Sequence, residues 1–137
     1  MAKILDLKMN KITWDDFISL LSNELRTNCS DCQKANFKGW ESFTKEMESK
    51  LQILGEFENS ETCISKNGYN EYHPNGTNYW SKDAPIALAF YPYHESQVRT
   101  CSACNAVFLT YAEYSGHAPQ NRCRWVQPEL LVLIEDL

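Results

Sequence analysis

The sequence predicts an α+β protein: two N-terminal helices packed on a small, mostly antiparallel sheet, one hairpin of which turns on a CxxC motif. Three observations predict it. Apolar residues recur every three or four positions through residues 1–55. From Glu56 onward this gives way to short alternating or apolar runs, separated by the turn-forming pairs Asn67-Gly68 and Asn75-Gly76. Cys101-Ser-Ala-Cys104 then falls between two such runs. The 137 residues suit a single domain, 1–137, with a helical part at 1–55 and a β-rich part at 56–137. A chain of this length buries enough surface to fold without disulfides.

Each element follows from local chemistry. Thr13 caps the first helix, with Asp16 three residues on as an imperfect capping box. Trp14, Phe17, Leu21 and Leu25 fall on one stripe with Leu20 at its edge, while Asp15, Asp16, Ser19 and Asn23 face away. A second helix is predicted from about Trp40 to Leu54 by the spacing of Trp40, Phe43, Met47, Leu51 and Leu54. Glu41–Lys45 and Glu46–Lys50 are favourable pairs four apart, and Gly55 stands where a helix C-terminal glycine belongs. Both stripes read as core faces. The segment 68–85, rich in Tyr, Asn and Gly, reads as short strands and loop. Ile86–Tyr91 reads as a buried strand, and Gln97–Cys101 and Asn105–Tyr114 as two more. In the last, Val107, Leu109 and Tyr111 alternate with Phe108, Thr110 and Ala112. Ser115-Gly116 turns the chain, Cys123–Val126 returns as a strand, and Pro128 opens a short helix through Ile134. Trp80 and Tyr91 are assigned to the core.

Charge narrows the partners. Eighteen acidic residues against thirteen basic ones leave a formal charge of −5. Such a surface repels phosphate backbones and anionic membranes, so a basic protein is the expected partner, and neither nucleic acid nor membrane is. No apolar run approaches a membrane span, and the opening MAKILDLKMNKITW lacks the apolar centre of a signal peptide. The expected compartment is therefore the cytoplasm, where the six cysteines stay thiols or ligate metal.

Two cysteines separated by two residues can both point inward from a tight turn and grip one Zn²⁺. Cys101 and Cys104 lie between two predicted strands, the setting of a zinc-ribbon knuckle. The residue after such a pair tends to adopt positive φ, and Asn105 is the non-glycine residue best suited to it. A structural zinc needs about four ligands. His117 and Cys123 are the local pair that completes the set. Cys29-Ser-Asp-Cys32 repeats the spacing 72 positions earlier and is the alternative pair, with His94 a further alternative and Cys63 and His73 weaker ones. A thioredoxin-like role fits poorly, because neither CxxC follows a strand and opens a helix.

Catalytic motifs are missing from the chain: there is no GxSxG, HExxH or phosphate-binding glycine loop. Asp15 and Asp16, for association, and Tyr69 and Tyr72, as contact residues, are the expected partner-binding positions. The runs NGYNEYHPNGTNYWSKDAPIALAFYPY, CSACNAVFLTYAEYSGH and NRCRWVQPELL resemble a pattern in small uncharacterised bacterial cytosolic proteins with a CxxC knuckle. That resemblance implies an α+β fold and transfers no catalytic residue. In size and charge alone the chain is similar to bacterial immunity proteins. The leading expectation is thus a non-enzymatic binding protein that neutralises a toxin, with a structural zinc. The competing expectations are a small metal-dependent hydrolase or nuclease using His94 and His117, and a zinc-ribbon adaptor.

Overall fold

The computed structural model describes residues 10–114 and 118–134. It mixes helix with a mostly antiparallel sheet. In chain order the elements are β1 (Lys11–Ile12), α1 (Trp14–Leu21), β2 (Glu41–Ser42), α2 (Lys45–Glu48), β3 (Leu51–Phe57), α3 (Ser60–Asn67), β4 (Ile86–Ala87), β5 (Gln97–Cys101), β6 (Val107–Glu113), β7 (Gln120–Trp125) and β8 (Leu131–Val132). Among the described residues the main sheet runs β1-β3-β5-β6-β7-β2, and β4 pairs with β8 apart from it. Only β1 lies parallel to its neighbour in the main sheet, with Ile12 opposite Phe57.

The first helix forms as its sequence dictates. Thr13 Oγ1 accepts the Asp16 backbone N–H at 3.0 Å, satisfying one orphan donor of the first turn. Phe17 and Leu21 are buried, and the Phe17 ring meets Phe57 edge-on at 5.1 Å. The helix stops at Leu21, so Leu25 leaves the stripe and is 53% exposed. Its backbone N–H instead donates to Cys104 O at 2.8 Å, tying the chain after α1 to the second CxxC turn.

The predicted helix over 40–54 does not form. Trp40 is buried among the rings of Tyr79, Tyr93 and Tyr111. Glu41 and Ser42 add an edge strand to β7, and only Lys45–Glu48 is helical, its first turn capped by Thr44. Leu51 already belongs to β3. Trp40, Met47 and Leu51 are buried as their spacing predicts, but from the loop before β2, from α2 and from β3. Gly55 is likewise not a helix end. A Cβ there would stand 2.4 Å from Asn10 O, the same oxygen that accepts the Glu56 N–H at 2.9 Å. Glycine lets β1 close against β3 at the point where the β3–β5 pairing shifts register, between Ile53 and Gly55.

Later elements differ in smaller ways. α3 escapes sequence reading because it buries one side chain, Cys63, and so shows no apolar stripe. All residues from Ile86 to Phe90 are buried, yet only two pair as a strand, since Phe90 N–H turns back to Ala87 O. Trp80 is not core: it is 57% exposed, with the Arg122 guanidinium 5.2 Å over its ring. Tyr91 is half-buried against the main core. After Pro128 the chain makes one 3₁₀ turn and then β8, not a helix to Ile134. The Ser115-Gly116 turn and His117 lie outside the described residues. Among those described, no helix is long and apolar enough to cross a membrane.

Candidate metal centre

Two turns of the same construction face each other. In Cys29–Gln33 the N–H of Gln33 donates to Cys29 O at 3.0 Å; in Cys101–Asn105 the N–H of Asn105 donates to Cys101 O at 2.8 Å. The residue after each second cysteine is left-handed, with φ of 49° at Gln33 and 64° at Asn105. Each turn thereby aims two sulfurs to one side. The second turn sits at the tip of the β5–β6 hairpin, as its position between strands predicts. The first lies in the segment between α1 and β2, which has little regular structure beyond a 3₁₀ turn at Lys34–Phe37.

The turns converge. Cys29 Sγ lies 3.9 Å from Cys101 Sγ, and Cys32 Sγ lies 3.7 Å from Cys104 Sγ. All four sulfurs are within 4.8 Å of one another. No disulfide joins any of the six cysteines. A zinc ion bonded to four thiolates at about 2.3 Å in a tetrahedron holds its sulfurs about 3.8 Å apart. The Cys29–Cys101 and Cys32–Cys104 separations match that edge and the others stay within 4.8 Å, so the four cysteines can hold a metal ion.

Electrostatics favour a cation at this point. Cys32, Cys101 and Cys104 are buried and Cys29 is half-buried. The Cys32 amide donates to Cys29 Sγ and, against burial and with help from the Asp31 amide, lowers its pKa to about 7. Burial pushes the Cys32 thiol up, and the Cys101 sulfur beside it adds to the rise. Burial also raises Cys104, against an N–H from Ala106. Burial and the neighbouring Cys101 sulfur oppose ionisation of Cys32, and a divalent ion removes that opposition.

A buried ion pair braces the first turn. Lys34 Nζ meets Glu24 Oε2 at 2.8 Å, with side chains only 6% and 1% exposed. Lys34 also donates to Leu25 O, and Trp125 Nε1 donates to the other Glu24 oxygen at 3.1 Å. These bonds fix both flanks of the Cys29–Cys32 turn to β7, much as outer-shell contacts orient metal ligands elsewhere.

The remaining candidate residues lie elsewhere. Cys123 is fully buried on β7, opposite Thr110 and Glu41, and outside the four-sulfur group. Burial pushes its thiol up, with Arg99 acting against the rise. His94 Nε2 donates to Gly68 O at 2.7 Å, and its Nδ1 is buried with no partner among the described residues. His73 pairs with Thr77 and Glu71. Cys63 packs with Ala87, Ala89 and Phe90. Asp15 and Asp16 are exposed on the first turn of α1. Tyr69 is 83% exposed, whereas Tyr72 is half-buried with its ring 5.3 Å from that of Phe90. The signal for the full ligand set was the repeated CxxC spacing. Glu24, Lys34 and Trp125 carry no motif and emerge only from the fold. No family model matches this chain, and neither a curated protein nor a solved structure matches it significantly.

Proposed function

We propose that this protein is a non-catalytic binding protein whose fold is stapled by one structural zinc ion on Cys29, Cys32, Cys101 and Cys104. The carrying observation is the convergence of two equivalent turns, 72 positions apart, on one set of four sulfurs within 4.8 Å of one another. Four thiolates fill a zinc coordination sphere and leave no open position for substrate, so the ion supplies folding free energy rather than chemistry. The formal charge of −5, with Asp15 and Asp16 exposed together, supports a basic protein as the partner, a toxin among them.

Metal analysis of the purified chain by native mass spectrometry tests the zinc. One zinc is expected per chain, lost in Cys32→Ser or Cys104→Ser and retained in Cys123→Ser. Iron in its place, or full stability without metal, overturns it. For the partner, affinity capture followed by kinetics is decisive. A basic protein is expected, whose association slows with salt and slows further when Asp15 and Asp16 are both changed to lysine. Turnover of a substrate by the zinc-loaded protein, or a nucleic acid as the bound species, overturns the binding reading.

A further inference from the structure

A groove of about 450 Å³ opens where the end of α3, the turn before β5 and the end of β6 meet. Three tyrosines, Tyr69, Tyr91 and Tyr114, and three carboxylates, Glu71, Glu95 and Glu113, line it, with no lysine or arginine among the described lining residues. Its size falls in the range of ligand-holding clefts. The Tyr91 ring is fixed at the base by edge-on contacts with Tyr69 at 5.2 Å, Tyr111 at 5.9 Å and His94 at 6.2 Å. Tyr69 and Tyr114 hold their rings out in water although both are large and partly apolar.

The carboxylates are not equivalent. Glu113 accepts from Arg122 Nε at 3.3 Å, and Glu71 meets His73 Nε2 at 2.7 Å. Glu95 has no side-chain hydrogen bond or ion pair among the described residues, and half-burial alone pushes its pKa up. A partly desolvated carboxylate among aromatic rings, with no donor of its own, suits a cation from outside. A guanidinium fits better than an ammonium, because it forks onto a carboxylate and lies flat on tyrosine rings in the same pose. A second cavity of about 270 Å³ shares Glu95 and Ala112 with the first and carries Arg99 in its wall. The formal charge of −5 makes a basic polypeptide, rather than a free small cation, the fitting carrier of such a guanidinium.

We propose that this groove receives an arginine side chain of the basic partner protein, with Glu95 as its counter-charge and the rings of Tyr69, Tyr91 and Tyr114 around the guanidinium. The proposal rests on the binding reading given above. It is tested on the full, zinc-loaded chain by following backbone amide NMR signals during titration with the blocked peptide acetyl-Gly-Arg-Gly-amide. The expected result is a saturable shift confined to residues 69–71, 91–95 and 112–114. The citrulline peptide, a neutral isostere, should leave those signals in place. Glu95→Gln should weaken the arginine peptide by about tenfold while the rest of the spectrum is unchanged. Tyr69→Ala, at an exposed position, should weaken it as well.

Absence of shifts overturns the proposal, as do shifts spread over the acidic surface including Asp15 and Asp16. Equal binding by the citrulline peptide or by Glu95→Gln does the same. A lysine peptide binding as tightly as the arginine peptide overturns the guanidinium assignment. A basic protein that binds with the groove signals unmoved overturns the groove and spares the binding reading. A groove that takes the peptide, in a chain whose captured partner is not displaced by it, places the partner elsewhere and also overturns the proposal.

Discussion

Arg124 is 1% exposed and has no carboxylate among its hydrogen-bond partners in the described residues. Its guanidinium donates instead to the backbone oxygens of Lys38, Lys82 and Ala84 and to the Tyr93 hydroxyl. One side chain on β7 thus ties together residues 38, 82–84 and 93. Arg124→Met should cost roughly 2–4 kcal/mol in urea denaturation, since those oxygens lose a charged donor. Arg124→Lys should recover little of it, because an ammonium cannot reach the oxygens in the fork geometry. His94 acts at the same scale through pH. Burial holds its pKa below the ordinary value, with the bond to Gly68 O working the other way. The unfolded chain therefore binds the proton more readily, near the usual pKa of about 6.5. The stability contributed by neutral His94 is present above that pH and is lost as pH falls below it. Urea midpoints measured from pH 7.5 down to 5 should fall more steeply for the wild-type chain than for His94→Gln.

The two CxxC turns show what a short element demands of its residues. Both need a left-handed residue after the second cysteine, and the chain supplies glutamine once and asparagine once. A left-handed glutamine carries strain of about 1–2 kcal/mol that glycine does not. Gln33→Gly should therefore raise stability by roughly 0.5–1 kcal/mol, after allowing for the greater freedom of glycine in the unfolded chain. Asn105→Gly should gain less, because Asn105 tolerates the conformation, and each substitution loses one exposed side-chain hydrogen bond, Asn36 Nδ2 to Gln33 Oε1 or Asn105 Nδ2 to Asn23 O. Thermal melts of the two variants side by side check the ranking. The same contrast explains what the sequence made legible. Asn105 announces positive φ by its type, and Gln97–Cys101 matches β5 residue for residue. Gln33 announces nothing. The 40–54 segment misleads for a different reason: a buried tryptophan, a four-residue helix and a strand start at intervals that imitate one helical face. Periodicity records which residues are buried, and the element that buries them must come from pairing partners far away in the chain, here Arg122 and Cys123 for β2 and Cys101 for the start of β3.

Across the whole molecule, the sulfur cluster joins a segment poor in regular structure to the tip of the central hairpin. Spacing along the chain reveals each CxxC pair but not that the two meet, since that depends on how the sheet brings positions 72 apart together. The consequence of metal removal follows from where the ligands sit. Chelation at neutral pH should lower the urea midpoint and first release the segment 25–37, which is otherwise held by ties such as Leu25 N–H to Cys104 O, the Glu24–Lys34 pair braced by Trp125 and the packing of Phe37 on Phe108. Hydrogen exchange should quicken there while β5 and β6, whose apolar residues Val98, Val107 and Leu109 are fully buried, stay protected. Uniform loss of protection would instead mean that the metal holds the entire fold.

The distance between the two turns along the chain also orders events during synthesis. When Cys29 and Cys32 leave the ribosome, their partner turn does not yet exist. At about 5–20 residues per second, the 72 residues that separate Cys32 from Cys104 take roughly 4–14 s to follow. Through that interval the nascent chain carries a two-sulfur claw that can hold a metal only weakly. With zinc on the four cysteines as proposed, tight capture waits until the β5–β6 hairpin has paired, so a held ion reports that two turns made seconds apart have met.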